Sequence, residues 1–253
     1  MDLGLTDRVF VVTAASGGLG RATATQLVAE GARVVLVARR EHVLAEAVAE
    51  LGPDRAVAVV ADLADPGTGE RACRRALATW QRLDGALVSA GGPPAGAVLD
   101  TSDEAWTAAF ASVFLSALRV TRAVVAHGTA PDLGVGWVLS TSVRSPVSGL
   151  ATSNGLRPGF GMLVKQLADE LGPDGTRVVG LMPGRVETER VRHLDGLADD
   201  PAATRAAYEA AIPLRRYGSP DEFARVAAFA LSPAASYLTG CVIPVEGGAL
   251  RTL

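Results

Sequence analysis

Short apolar runs that are rich in β-branched residues alternate with longer segments rich in alanine and leucine along the whole chain. This alternation is typical of a parallel sheet whose strands are joined by helices. The short runs are apolar at consecutive positions, which indicates strands that are covered on both faces. We therefore predict an α/β fold, a doubly wound parallel sheet of about seven strands with helices on both faces. The expected strands are residues 9–13, 33–38, 56–60, 86–89, 136–140, 177–182 and 242–245.

The segments between these runs have the length and composition of helices. The expected helices are residues 20–30, 41–51, 69–80, 102–127, 154–171 and 220–231. No linker or repeat interrupts this order, so we predict one domain over residues 1–253. Residues 186–212 mix glycine, aspartate and proline with a short helical stretch, and we expect them to form a mobile flap over the substrate at the carboxyl edge of the sheet.

Composition narrows the classes of function. The chain carries 24 Lys and Arg against 27 Asp and Glu without a basic run, which argues against binding to nucleic-acid phosphates. Cys73 and Cys241 form no metal-binding pair, so we expect a reduced, cytoplasmic protein without a metal site. Residues 105–126 are apolar but contain Arg119 and Arg122, so we expect a buried helix and no membrane span. The first residues do not resemble an export signal.

A glycine-rich turn follows the first expected strand and leads directly into a helix. Its sequence, TAASGGLG at positions 13–20, lets backbone N–H groups approach a pyrophosphate at the positive end of the helix dipole. An ordinary strand-to-helix turn is the alternative. The cofactor-binding candidates in this turn are Thr13, Ala15, Ser16, Gly18, Leu19 and Gly20.

Two later pairs of residues support a dinucleotide site. Arg39 and Arg40 follow the second expected strand, where an acid would bind a ribose 2′-hydroxyl and an arginine a 2′-phosphate, so the sequence favours NADP(H) over NAD(H). Asp62 and Leu63 close the third expected strand, where the aspartate can accept a hydrogen bond from an adenine amino group. The alternatives are a solvated charge for Arg39 and a helix cap for Asp62.

These residues resemble the short-chain dehydrogenase/reductase family over essentially the whole chain, and its β-ketoacyl-carrier-protein-reductase-like branch most. The turn resembles that family's T-G-x-x-x-G-x-G with Ala14 at the first glycine, and Val88 and Ser89 stand where the N-N-A-G segment has asparagines. The other similar segments are Asp62-Leu63, Ala90-Gly91, Pro183-Gly184 with Thr188, and Val245-Glu246-Gly247-Gly248. The resemblance implies a Rossmann-type fold and a nicotinamide cofactor, with Gly92 and Val186 also beside it. It further implies a homotetramer or homodimer with faces on residues 105–126 and 159–171.

The catalytic positions depart from the family's Ser, Tyr, Lys and Asn. Counting back from residues 167–171, the Tyr and Lys positions fall on Ser153 and Arg157, and the Asn position falls on Val113. Either Ser140 or Ser142 takes the serine role; Ser142 lies eleven residues before Ser153, about two fewer than the family usually has. A serine hydroxyl is far less acidic than a phenol, and an arginine releases no proton. Because losing a positioned general acid costs about 10² to 10⁴ in rate, we predict a slow reductase.

Four further residues near this site have open roles. Pro158 is tolerated only in the first turn of a helix, so we expect the regular helix to begin near Arg157. Arg144 and Arg185 either receive an anionic group together with Arg157 or carry ordinary surface charge. His193 in the flap is either a proton donor or a solvent-facing residue.

The function predicted from these residues is that of an NAD(P)(H)-dependent carbonyl reductase or alcohol dehydrogenase acting on a small molecule, with 3-oxoacyl compounds among its candidate substrates. A nicotinamide-binding sensor or scaffold without turnover is one alternative. A dehydratase or isomerase with the cofactor as a spectator is another. A serine hydrolase is least supported, because no Gly-x-Ser-x-Gly turn surrounds Ser140 or Ser142.

Overall fold

The structure, a computed structural model, describes residues 1–92 and 94–252. Its strands form one parallel sheet in the order β3-β2-β1-β4-β5-β6-β7. The doubly wound parallel sheet is confirmed; the fourth and seventh strands begin one residue earlier than expected, and the fifth begins two residues earlier. The strands are β1 (Val9–Thr13), β2 (Arg33–Ala38), β3 (Ala56–Val60), β4 (Gly85–Val88), β5 (Gly134–Val138), β6 (Arg177–Pro183) and β7 (Cys241–Val245).

Helices cover both faces of this sheet. Leu27 and Phe223 are buried in the core of one face, while Cys73 and Phe160 are buried in the core of the other. The apolar residues of the strands point into both cores, which explains their consecutive apolar positions. The helices are α1 (Gly18–Ala29), α2 (Glu41–Leu51), α3 (Thr68–Trp80), α4 (Asp103–Ala109), α5 (Ser116–His127), α6 (Ala151–Leu171), α7 (Glu189–Asp195), α8 (Pro201–Ala211) and α9 (Pro220–Leu231).

The strand order places the candidate site. β1 and β4 are neighbours, and the connections leave them toward opposite sides of the sheet. In open sheets of this kind, ligands bind in the crevice at the carboxyl ends of the strands where the order reverses. The glycine-rich turn after β1 and the segment after β4 both lie at that edge.

The long helical segment after β4 is not one regular helix, although the sequence predicted a single helix over residues 102–127. A π-helical stretch, Phe110–Leu115, separates α4 from α5 and has Val113 at its centre. Such stretches insert an extra residue into the helical turn and are common near functional sites. By length and composition, Asp103–His127 could cross a membrane, but 44% of its most apolar window is buried within the domain, where Val120 and Val124 pack in the core.

The expected start of the sixth helix near Arg157 is wrong. α6 begins at Ala151, so Pro158 lies inside it. The first turn is held by tertiary contacts: the side chain of Asn154 accepts a hydrogen bond from Val147 N at 2.9 Å and donates one to Val147 O at 2.8 Å. These bonds and the burial of Ser153 keep the early turns helical although the proline removes one N–H donor.

Candidate active site

The glycine-rich turn wraps the N-terminus of α1. Gly17 is the N-cap residue, no side chain caps the helix, and the first turn contains no acidic residue. The first N–H groups of a helix have no partner inside the helix, and they carry a partial positive charge. The turn is therefore open to an anionic oxygen group on the side that faces the crevice.

The conformation of Ala14 and the close packing of Gly20 determine the shape of this turn. Ala14, at the family's first glycine position, has φ of 51°, in the left-handed region that glycine adopts more easily. Gly20 packs directly on the turn, since a Cβ there would lie 2.7 Å from the carbonyl oxygen of Ala14 and 2.8 Å from that of Thr13. Both distances are too short for a real Cβ, so only glycine fits at position 20 without a shift of the backbone.

Replacing Gly20 by alanine is expected to displace the turn and to weaken binding of NADPH at least about tenfold, with about 1 to 3 kcal/mol lost from the free energy of unfolding. The new Cβ would meet backbone oxygens, which cannot rotate away. Fluorescence titration with NADPH and urea unfolding measure the two effects. Gly172→Ala is the matched control, because its Cβ would meet nothing within 4 Å; equal behaviour of the two variants would contradict the prediction.

Two arginines lie beside the turn. The guanidinium of Arg40 donates to the carbonyl oxygen of Ser16 at 3.0 Å and to its hydroxyl at 3.3 Å. Arg39 is largely exposed and lies 3.7 Å from a carboxylate oxygen of Asp62. The other carboxylate oxygen of Asp62 accepts from Ala64 N at 2.9 Å, so this aspartate caps a local turn as well as facing the crevice. Leu63 is half-buried against the core.

Two predicted cofactor residues have mainly internal roles. The Thr13 hydroxyl donates to the carbonyl oxygen of Ser89 at 2.5 Å and accepts from its N–H at 2.8 Å, which joins the ends of β1 and β4. Ala15 is buried and donates its N–H to the carbonyl oxygen of Val37. By contrast, Gly91 is exposed, and a Cβ there would meet nothing within 4 Å. Ala90 and Gly92 flank it at the same edge.

The segment that follows β6 lies against the glycine-rich turn. Gly184 follows Pro183 and packs against Glu246, whose Cβ would be 2.6 Å from a Cβ at Gly184. The chain then passes through buried Val186 to Thr188, whose hydroxyl caps α7 by accepting from Val191 N. Thr188 also lies over Gly18, with its methyl group 3.5 Å from the position of a Cβ there. The first residues of the predicted flap therefore lie over the N-terminal end of α1.

Three serines meet after β5. Ser142 and Ser153 are both buried, and their hydroxyl oxygens are 3.0 Å apart. Ser140 lies two residues before Ser142, is half-buried, and accepts the Ser142 N–H with its hydroxyl at 3.2 Å. Ser140 is therefore the more accessible serine at the sheet edge, whereas Ser142 is turned toward α6.

Arg157 lies one helical turn after Ser153 on α6 and is 7% exposed. Its guanidinium donates to the carbonyl oxygen of Val138 at 2.9 Å. It borders a small cavity whose other walls are Val88, Ala90, Val113, Ala117, Trp137, Val138 and Phe160. Burial in these surroundings and, to a smaller extent, the charge of Arg190 lower the pKa of Arg157 to about 10.

Arg190 is the residue that the sequence reasoning missed. It belongs to α7, and its Nε would lie 2.6 Å from a Cβ at Gly92. Its pKa is lowered by burial. No local pattern singles it out, because its position depends on how the flap folds back over the segment after β4.

The other charged candidates have different surroundings. Arg185 forms an ion pair with Asp195 at 2.6 Å and stacks on the ring of Tyr208, so it supports the flap. Tyr217 donates to the same carboxylate at 3.0 Å, and burial together with this bond raises the pKa of Tyr217 to about 12. Arg144 and His193 are exposed. The predicted flap thus contains two helices, α7 and α8, and a partly buried ion pair supports it.

Comparisons with known proteins span nearly the whole chain. A family model described as enoyl-(acyl carrier protein) reductase matches residues 13–249. The levodione reductase of Leifsonia aquatica is 32% identical over 257 residues, covering 96% of this chain and 94% of its own. The galactitol 2-dehydrogenase (L-tagatose-forming) of Cereibacter sphaeroides is 33% identical over 248 residues, covering 94% and 92%. The crystal structure of L-sorbose reductase from Gluconobacter frateurii, complexed with NADPH and L-sorbose, has a TM-score of 0.92 at 27% identity and covers 100% of both chains.

Proposed function

The chain belongs to the short-chain dehydrogenase/reductase family and is an oxidoreductase that depends on NAD(P)(H), and from this premise we propose that it prefers NADP(H) and reduces a small-molecule carbonyl with an atypical catalytic set. The single observation that carries the proposal is the open N-terminus of α1, with Arg39 and Arg40 beside it. The neighbour L-sorbose reductase, solved with NADPH, supports it.

The residues at the carboxyl edge fit a dinucleotide. The uncapped N–H groups of α1 suit a pyrophosphate, and Thr188 lies over Gly18 on the opposite side. Exposed Arg39 and half-exposed Arg40 suit a 2′-phosphate, because a guanidinium forms paired hydrogen bonds to phosphate oxygens. Open space over Gly91 leaves room for the nicotinamide half.

Reduction of the substrate carbonyl would need a hydride, a hydrogen-bond donor to the carbonyl oxygen and a source of positive charge. When bound, the nicotinamide supplies the hydride. Ser140 at the sheet edge can donate a hydrogen bond to the carbonyl oxygen. The Ser140 hydroxyl is positioned by the N–H of Ser142, whose own hydroxyl contacts that of Ser153. Arg157 adds positive charge near the oxygen, which stabilises the developing alkoxide but supplies no proton. The proton of the product alcohol then comes from water, so we expect slow turnover on unreactive ketones.

Arg39→Ala is expected to lower the affinity for NADPH by about tenfold or more and to leave that for NADH within about threefold, because the lost bonds reach only the 2′-phosphate. Arg40→Ala is expected to weaken both, since Arg40 also holds Ser16 of the turn. Parallel fluorescence titrations measure these affinities, with Arg75→Ala on the exposed side of α3 as control. Equal loss of NADPH and NADH in Arg39→Ala would reject the NADP(H) preference.

A carbonyl panel separates the proposal from its alternatives. Consumption of NADPH with ketones or 3-oxo esters above the protein-free rate supports the oxidoreductase. Tight NADPH binding without consumption points to a sensor or scaffold. Conversion of a substrate without a change in nicotinamide absorbance points to a dehydratase or isomerase.

The proposal includes a cytoplasmic protein that assembles as a homotetramer or homodimer. Phe110 and Met162 support the assembly, because both are large apolar side chains exposed on the helical segments expected to form its faces.

A further inference from the structure

A carboxylate of the flap lies at the N-terminal end of α1. A Cβ on Gly17 would lie 3.9 Å from Oε2 of Glu189 and 3.3 Å from Nη2 of Arg40. These two side-chain atoms are themselves 3.9 Å apart. Glu189 is the first residue of α7, and Thr188 before it lies over Gly18. One acidic side chain of the flap therefore lies near both the N-cap residue of α1 and the guanidinium beside it.

The groups that Glu189 approaches are those that the proposed function assigns to the cofactor phosphates. Within the described part of the chain, no side chain caps α1, and its own first turn contains no acidic residue. The first N–H groups of a helix carry a partial positive charge. Arg40 is half-exposed and donates to the carbonyl oxygen of Ser16. A carboxylate and a phosphate both interact with such donors through anionic oxygens, so they compete for them.

The backbone on both sides of α7 holds Glu189 against the turn. Before the helix, Glu187 N donates to the carbonyl oxygen of Gly218 at 2.8 Å, and Gly218 N donates to that of Arg185 at 2.9 Å. At the other end of the helix, Asp195 pairs with Arg185 at 2.6 Å. Both ends of α7 are thus tied to the segment that follows β6, which fixes where the first residue of α7 points.

We propose that Glu189 is an internal competitor of the cofactor phosphates, whose carboxylate occupies the anion position at Gly17 and Arg40 and is displaced when a phosphate binds there. The inference rests on the proposed placement of the cofactor at this turn. The side chain of Glu189 is 72% exposed, so it can turn into water, and the effect on affinity is modest. Differences in affinity at one site mostly change the dissociation rate, so Glu189 speeds release of the cofactor.

Glu189→Gln tests the competition, because it removes the charge and keeps the size of the side chain. At low ionic strength the NADPH dissociation constant is expected to fall about three- to tenfold, the combined effect of one surface ion pair and one charge at a helix N-terminus. Fluorescence titration measures this constant, and stopped-flow displacement measures the slower dissociation. An unchanged or higher constant in Glu189→Gln would overturn the inference.

Asp199→Asn is the matched control. Asp199 is exposed in the loop between α7 and α8, so this variant removes the same charge from the same flap. Its NADPH dissociation constant is expected to stay within about twofold of the parent, because a distant exposed charge is screened. A decrease as large as in Glu189→Gln would show that the net charge of the flap matters and the position of Glu189 does not.

Ionic strength separates competition by charge from a loosened flap. At about 1 M salt the screening length is about 3 Å, so the dissociation constants of Glu189→Gln and the parent are expected to converge. A gain in affinity that persists at high salt would mean that the substitution acts through the fold of the flap. That result would overturn the competition.

NADH identifies which phosphate group competes, because it lacks the 2′-phosphate. Equal gains in affinity for NADPH and NADH in Glu189→Gln would assign the competition to the pyrophosphate. A gain for NADPH alone would assign it to the 2′-phosphate beside Arg40. Both outcomes support the inference.

These binding measurements also separate the inference from the proposed function. Equal NADPH binding by the parent and Glu189→Gln, with reduction of carbonyls by both, would reject the competitor and leave the reductase standing. Tighter binding by Glu189→Gln without reduction of any carbonyl would support the competitor and reject the proposed reaction. Failure of either cofactor to bind to either protein would reject both.

Discussion

Asp84→Ala is expected to lower the free energy of unfolding by about 3 to 5 kcal/mol, which would be the largest effect of a single substitution away from the candidate site. The carboxylate of Asp84, directly before β4, is fully buried. It accepts from Val9 N at 2.8 Å, from both Nε and Nη2 of Arg82 at 2.7 and 2.8 Å, and from Arg8 at 3.3 Å. Its loss would leave the buried N–H of Val9 without this acceptor and Arg82 without this carboxylate, while Arg8 would keep its bonds to Asp132.

Urea unfolding measures this effect as a lower midpoint at an unchanged slope. Asp132→Ala is the matched control: Asp132 pairs with the same Arg8, at 2.8 Å, but its side chain is 40% exposed. For that exposed pair a loss below about 1 kcal/mol is expected. Similar losses in the two variants would show that burial of Asp84 does not govern its contribution.

Arg157→Met is expected to act in opposite directions on stability and on function. The pKa of Arg157 is lowered from 12.5 to about 10, which corresponds to about 3 kcal/mol against the charged form. Removing this penalty and losing one hydrogen bond of about 1 kcal/mol should raise the free energy of unfolding by about 2 kcal/mol. For a domain of this size the melting temperature would rise by about 4 to 8 °C. Turnover should fall about 100-fold or more, because the positive charge near the reacting oxygen is lost.

The sign of the pH dependence follows from the direction of the pKa shift. Burial disfavours the charged arginine, so the penalty is constant through neutral pH and shrinks only as the pH rises through about 10. The stability gain of Arg157→Met should therefore be the same at pH 6 and pH 8. Thermal unfolding at both values, with NADPH consumption assayed in parallel, tests this.

Arg177→Met provides the comparison. Arg177 is as deeply buried as Arg157, but its guanidinium donates to four backbone carbonyl oxygens at the end of α9 and beyond, those of Ala230, Leu231, Ser232 and Leu238. Its removal leaves these acceptors unsatisfied and should destabilise the fold. A loss of stability in Arg157→Met as large as in Arg177→Met would contradict the idea that Arg157 is retained for function at the expense of stability.

Local sequence patterns were enough for most of the fold. The apolar runs predicted all seven strands within two residues at their starts, because strands covered on both faces must be apolar at every position. The predictions from local sequence patterns failed where tertiary contacts override the local propensity of the chain. Pro158 did not delay the start of α6, since Asn154 and the buried first turn hold it, and the helix after β4 contains a π-helical stretch that no periodicity showed.

Some features of the candidate site could likewise be proposed from the sequence, whereas others are visible only in the folded chain. The sequence alone was enough to propose the glycine-rich turn, the arginines after β2, and Ser153 and Arg157 as candidate catalytic residues. Each of these is a local pattern next to the end of a strand or helix. The sequence left Ser140 and Ser142 as equal alternatives. Only the folded chain shows Ser142 turned toward Ser153 and Ser140 at the accessible edge.

By itself, the sequence determined the order of strands and helices and the family, and it predicted which residues form the candidate cofactor turn and the candidate catalytic positions. The tertiary structure alone decided which charges are paired: Asp84 is surrounded by donors, Arg157 has no carboxylate partner among the described residues, and Arg190 reaches Gly92. The physical reason is that element order follows from short-range periodicity and turn chemistry. The energy of a buried charge depends on groups that are distant in the chain and meet only after folding.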